Sequence, residues 1–440
     1  MCLWLALCAS LLVFVPRVDA ALRAGAAQVD ITPPAGTPSA GYGDRRARGM
    51  EGVHDPLLAT ALVIDNGETM LAFVGVDHLG FHAAMVASIR QIVHANEATA
   101  RCLVFVGSSH THSGGGAYLD IPGLGEALAG RFDEQVVRGY VAGAARAIID
   151  AAGKMEDAKT GVGHGHAPGM SGYRGDWPPG VQALDDVTVI KVTKADDSPL
   201  AVLFSFAAHP TVLGGGNMHF SADFVGYART QAARLIGGGV QPVFFNGAQG
   251  DVSPRAPLAD DPFERCESMG AVLADQVKGI WDRTEATADL KIETLSAPYD
   301  LDPQPTTSGL VIPGGSWMTE LNAIVFNDRD AFITIPGELS CIYDADIKRF
   351  GGWLGFRNVS ILGLTNDAHG YIVTPESYRH RTYESTLSFG GELYGERIES
   401  MALALLHALE PAGAYNEERL VESTALQDPC SLGAAPPERK

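Results

Sequence analysis

Apolar residues fall along this chain in two rhythms, and the switches between them mark its elements. Short unbroken apolar runs predict buried strands at Thr60–Gly67 (TALVIDNG), Met70–Gly80 (MLAFVGVDHLG) and Cys102–Ser109 (CLVFVGSS). An Asn-Gly turn joins the first two into a hairpin. Ala83–Asn96 and, more strongly, Phe132–Ala152 space their apolar residues as amphipathic helices do. Asp185–Thr193 and Pro199–Pro210 predict another strand pair, followed by a helix at Ser221–Ile236 and a strand at Gln241–Gly247. Further on, Ala331–Ser340 and Val359–Asp367 predict strands, and Glu392–Leu409 a closing helix. Strands alternating with helices, with some antiparallel hairpins, predict an α/β fold: a layered domain with a mixed β-sheet flanked by helices. The Pro- and Gly-rich segment Asp300–Trp317 interrupts the pattern, as a loop over a cleft or a joint between subdomains. No internal repeat is visible.

The chain has 440 residues, 46% of them hydrophobic, enough for one large or two ordinary domains. Its 52 acids against 32 bases give a formal charge of −20, which repels phosphate backbones and excludes nucleic acid as a partner. Residues 1–20 form a nearly uncharged apolar block with Val18 and Ala20 at −3 and −1, which predicts a secretory signal cut before Ala21. No later apolar run reaches the roughly 18 residues of a membrane span. The mature protein is therefore expected to be exported, secreted or periplasmic. Beyond the leader the cysteines are Cys102, Cys266, Cys341 and Cys430, too few for a disulfide scaffold. Residues 416–440 read as a polar tail.

Candidate chemistry sits where buried strands run out, so the active site is expected at strand ends. His110 and His112, in SSHTHSGGG, follow the strand at Cys102 into a Ser/Gly loop. A second pair, His164 and His166 in GVGHGHAPG, lies between glycines with no apolar run leading into it. Other predicted strands end at Asp77 and His78, at His209, at the turn bearing Asp251 and Ser253, and at Glu338. Two histidines and a carboxylate held on rigid strand ends are the ligand chemistry that zinc prefers.

Five ordered motifs, SSHTHSGG, FAAHPT, GDVSP, IPGE and GYIVT…YEST, resemble those of the neutral/alkaline (non-lysosomal) ceramidases. The likeness runs from AGAAQVDITPP near the start to YESTLSFGG. The resemblance implies that residues 21–415 form a zinc hydrolase catalytic domain. It assigns Zn2+ to His110, His209, Glu338 and Tyr371, with His112 as the acid–base neighbour of the metal. It places Tyr383 against the scissile amide, Arg174 (in SGYRGDW) as the active-site arginine, and Ser253 as a nucleophile or a supporting hydroxyl. Asp77 and Asp223 match acidic family positions, and serve equally well as a helix cap or as support behind the site. The implied substrate is a ceramide-like N-acyl lipid, reached through transient contact with a membrane surface; no protein partner follows. HTHSGGGA lacks the usual proline, GDVSPR has Arg255 for the usual Asn, and TNDAHGY differs around the tyrosine ligand. The C-terminal β-sandwich domain of the family's full-length members is expected to be lacking. The same metal site could serve another amide or ester, and a non-catalytic binding protein on the same fold is the reading from a different class.

Overall fold

The structure, a computed structural model, describes residues 21–411 apart from 46–47, 122–123 and 313–316. The expected leader, the polar tail and Cys430 lie outside the described residues. An eight-stranded sheet runs in the order Gln241–Asn246, Pro199–Phe206, Asp186–Lys194, Glu156–His166, Arg23–Asp30, Leu58–Asp65, Met70–Val76, Cys102–Ser108. Its middle is a seam, where Arg23 and Ala24 pair with Asp157 and Glu156 and nothing further. Across the seam the two halves fold face to face, with Leu62, Phe73, Phe105, Ile190, Leu203 and Phe245 in one apolar cluster. Helices Ala83–His94 and Glu134–Ala152 cover the outer face of the first half. Helices Phe224–Ile236 and Pro262–Arg283 cover that of the second. The strands Leu58–Asp65, Met70–Val76, Cys102–Ser108, Pro199–Phe206 and Gln241–Asn246 are buried on both faces, and that is why their apolar runs are nearly unbroken.

The two halves have the same design, although their sequences show no repeat. In each, an antiparallel three-strand meander leads through a helix to a fourth strand parallel to the third. A second helix then closes the unit. The expected hairpin at Asn66 forms, with Asp65 paired to Met70.

Two further features depart from the sequence reading. His164 and His166 lie within the strand Glu156–His166. A side chain at Gly161, Gly163 or Gly165 would collide with Glu285, Thr284 or Arg283, so this strand uses glycine where its neighbours use apolar residues. The helix Pro262–Arg283 has clear signals, an Asp261 cap, a proline in its first turn and buried Cys266, Met269, Leu273, Val277 and Ile280. A four-stranded sheet, ordered Ile292–Leu301, Trp317–Phe326, Asp330–Thr334, Asn358–Leu362, packs against helices Cys341–Trp353 and Tyr394–Ala408. The described part of the Pro- and Gly-rich segment, residues 302–312, follows the first of these strands and reaches a cavity at Ile312, so it is a loop over a cleft. Cys102, Cys266 and Cys341 are buried free thiols.

Close approach of the halves makes a testable demand on Gly75. A Cβ there would lie 2.4 Å from the backbone oxygen of Phe244 in the opposing half, which cannot move without shifting its strand. Gly75→Ala is expected to lower the unfolding free energy by about 1–3 kcal/mol in urea titration. Gly139→Ala, on an exposed helical turn with open space around it, should raise it by up to ~1 kcal/mol. Equal effects from the two would contradict the face-to-face packing.

Candidate metal centre and active site

Strand ends from both halves and loops from the smaller sheet meet at one point. His110 leaves the strand Cys102–Ser108 with φ at +70°, a left-handed turn that folds its ring back under the loop. Its Nδ1 donates to the Leu79 carbonyl at 2.7 Å, which leaves Nε2 as a bare lone pair facing inward. His209, three residues beyond the strand Pro199–Phe206, is fixed the same way, by Nδ1 on the Val252 carbonyl at 3.2 Å. Both Nε2 atoms face Glu338 Oε2, at 3.2 Å and 3.1 Å. Glu338 and Tyr371 stand opposite each other in a two-residue parallel ladder. His112 brings its Nε2 to 3.3 Å from that of His110.

These contacts place acceptors against acceptors. With both ring protons on Nδ1, neither imidazole can donate to Glu338, and Oε2 is buried without a hydrogen bond. Arg174 confirms the tautomer of His209: a guanidinium only donates, and its Nη2 lies 3.2 Å from His209 Nε2. The same Nη2 donates to the Tyr371 hydroxyl at 3.0 Å and the Gly250 carbonyl at 2.9 Å, while Nε pairs with Glu384 at 3.0 Å. Lone pairs so arranged are stabilised by a cation, and the three imidazoles already form a buried group able to hold a metal ion.

The electrostatics agree. Burial alone would raise the Glu338 carboxyl; positive charge between it and His110 and His209, from ring protons or from a cation in their place, holds it well below the usual carboxylate range. Burial pushes His209 down to about 4, with Arg174 adding to the shift. Burial first, then the neighbouring imidazoles, hold His112 well below its ordinary value, so it is neutral. Burial and the Glu338 charge push the Tyr371 phenol well above its ordinary value. His112 differs from the other two histidines in its anchoring. Its Nδ1 is buried without a partner, and its ring rests edge-on against Tyr42 at 5.0 Å. No carbonyl holds it as a ligand histidine is held.

Other expected residues fall nearby, with differing contacts. Tyr383 is 63% exposed, its ring 6.1 Å from that of Tyr371 and 5.8 Å from the Arg174 guanidinium carbon. Ser253 lies in the short strand Val252–Pro254 opposite Gly172, and its hydroxyl bonds to no member of the cluster. Asp223 caps the helix Phe224–Ile236 and also receives the Val212 and Leu213 amides. Asp77 pairs with buried Arg229. Asp251 receives the Ser340 hydroxyl and the Cys341 amide, which fixes the end of the Glu338 loop. His166 meets Asp185 and Asp186 on the surface, away from the centre.

Three supporting residues escaped the sequence reading. Asn246, near the end of the predicted strand Gln241–Gly247, is buried and donates to the Ser109 and Ala208 carbonyls at 2.9 and 3.0 Å, tying together the loops that carry His110 and His209. Arg45 is buried and donates to the His112 carbonyl and to Ser39, with no carboxylate partner among the described residues. Gly41, with φ at +99°, lies under His112, where a Cβ would come within 2.5 Å of Nδ1. A strand-end Asn was the one local signal among them; the other two contacts are made by tertiary packing.

The centre closes one end of a cavity of about 650 Å³. His110, His112, Glu338 and Tyr371 line that end, and Met85, Leu119, Leu128, Phe132, Val141 and Trp317 are among the residues that make the rest apolar. Such a space suits a molecule with one hydrolysable polar group and a long hydrocarbon part.

The sequence profile described as neutral/alkaline non-lysosomal ceramidase, N-terminal, matches residues 22–294. No curated protein matches the chain in sequence. The neutral ceramidase from Pseudomonas aeruginosa has a similar fold, with TM-score 0.79 and 18% identity over 89% of this chain and 75% of that one. A ceramidase complexed with C2 gives TM-score 0.78 and 17% identity over the same shares. The profile covers more than half of the chain and the fold agrees throughout: the chain belongs to the neutral/alkaline non-lysosomal ceramidase family.

Proposed function

We propose that this protein is an exported, zinc-dependent amidohydrolase that cleaves the N-acyl bond of a ceramide-like lipid to a fatty acid and a sphingoid base. Family membership makes it a ceramidase-like amide hydrolase. One observation carries the finer reading: His110 Nε2 and His209 Nε2 converge on Glu338 Oε2, which is buried without a hydrogen bond, where His110 and Glu338 line a largely apolar cavity. One of the similar structures is a ceramidase complexed with C2.

His110, His209, Glu338 and Tyr371 would hold the zinc, and their nitrogen and oxygen donors fit it. Bound zinc lowers the pKa of water towards 7 and polarises a carbonyl. His112, neutral and beside His110, accepts a proton from the attacking water and returns it to the leaving nitrogen. Water adds to the acyl carbon, the C–N bond breaks, and acid and amine leave with the atoms balanced. Among the described residues neither Arg174 Nη1 nor the Tyr383 hydroxyl has a hydrogen-bond partner, and with the Tyr383 ring 5.8 Å from the guanidinium carbon the two would stabilise the oxyanion together. Ser253 supports the strand that holds His209 through Val252, a supporting role in place of a nucleophile. The apolar walls exclude water from the acyl chain.

Three measurements test this. His110→Ala is expected to lose zinc and activity together, whereas His112→Ala keeps zinc and loses about 10²–10⁴-fold in turnover. Zinc lost from both would make His112 a ligand and displace Tyr371 from the set; unchanged turnover in His112→Ala would end its acid–base role. In a substrate panel, long-chain N-acyl sphingoid bases should be cleaved with higher kcat/KM than short acyl amides or esters. The reverse order would move the substrate out of the sphingolipid class, and no cleavage of any member by zinc-loaded protein would leave a binding protein. Export rests on residues 1–20, and protein recovered from periplasm or medium should begin at or near Ala21. An intact Met1 on soluble cytosolic protein would end that proposal.

A further inference from the structure

A second cavity, of about 620 Å³, shares no lining residue with the catalytic one. It opens where three elements meet: the strand Glu156–His166, the end of the helix Pro262–Arg283, and the turn of the smaller sheet at residues 327–330.

One wall is the free edge of a strand. Glu156–His166 pairs along its length with Asp186–Lys194, but on its other side the pairing with Arg23–Asp30 stops at Asp157. Farther along that side, Thr160 exchanges hydrogen bonds with Thr287 at 2.8 and 2.9 Å. By alternation Val162 and His164 turn their amides and carbonyls to the same edge. Arg357 Nη2 donates to the Val162 carbonyl and Arg283 Nη2 to the His164 carbonyl, both at 3.0 Å. The two amides have no partner among the described residues.

Arg283, Arg329 and Arg357 line the cavity together with these amides. The Asp330 carboxylate is already committed, to Arg357 Nε and Nη2 at 3.0 and 2.6 Å and to the Asn358 side-chain amide at 3.0 Å. Arg283 and Arg329 have no carboxylate partner among the described residues, and the Arg329 guanidinium bonds to nothing there. Glu285, the other acid of the lining, is exposed and pairs with neither. A cleft that offers guanidinium and amide N–H groups, with its carbonyls and its inner carboxylate already taken, is complementary to an oxyanion.

The geometry points to a phosphate-binding site, formed by the guanidiniums of Arg283 and Arg329 and the amides of Val162 and His164. A tetrahedral phosphate can accept from the strand edge and from both guanidiniums at once, which a planar carboxylate cannot. The cavity leaves room for the molecule that carries the phosphate. Such a ligand bridges the second half of the large sheet and the smaller sheet, so its binding stabilises their junction.

Thermal unfolding of the full chain in inorganic phosphate, against chloride at equal ionic strength, tests the site. Phosphate should raise the midpoint in a saturable way. Arg329→Ala should unfold at the parent's midpoint without phosphate, and should need at least about tenfold more phosphate for the same rise. Arg283→Ala should weaken the response similarly. Arg234→Ala, on the exposed face of the helix Phe224–Ile236, should respond as the parent does. Glycerol phosphate and phosphatidic acid vesicles then identify the source. A rise with glycerol phosphate that depends on Arg329 assigns a soluble phosphomonoester, and Arg329-dependent cosedimentation with the vesicles alone assigns a lipid headgroup. No Arg329-dependent response to any of the three overturns the site. A rise in phosphate that both Arg329→Ala and Arg283→Ala retain in full overturns it as well.

Discussion

Two imidazoles and a carboxylate are held nearly in contact with no proton to share, and the rest of the structure serves to keep them so. Isolated in a dry interior, that arrangement is repulsive, and it persists because each member is tied down from behind. His110 is held by Leu79, His209 by Val252, and Glu338 by the ladder it forms with Tyr371. Asn246 then links the two histidine loops directly. Preorganisation of this kind makes a cation the natural occupant.

The duplicated half-sheet explains how such residues come together. Both halves present strand ends at the same edge, but the ligands come from non-equivalent places. His110 follows the fourth strand of the first half, and His209 follows the third strand of the second. The pseudo-symmetric frame therefore holds an asymmetric centre, completed by loops of the smaller sheet. The cavity is asymmetric in the same way, with its polar end at the seam of strand ends and its apolar length under the loop 302–312.

Much of this was legible in the chain. Continuous apolar runs disclosed the doubly buried strands, and polar residues at their ends disclosed the cluster of His110, His209 and Glu338, because a strand that leaves the core must end in something water or metal can satisfy. Glu156–His166 escaped because its glycines answer to a helix end that packs against them, a fact of tertiary contact with no local signature. The repeat escaped because topology persists where side chains do not. Arg45 and Gly41 escaped for the same reason: their meaning lies wholly in where His112 comes to rest.

The donors of the centre are scattered from residue 110 to residue 371, on both halves and the smaller sheet. The shortest fragment that contains them all spans residues 110–371, and local folding cannot assemble them. Long loops must close before the last donor arrives, so the site is among the final features to form. A chain that has not yet folded offers only single imidazoles and carboxylates, each a weak ligand alone. Occupancy of such a centre would therefore report that the two halves and the smaller sheet have come together.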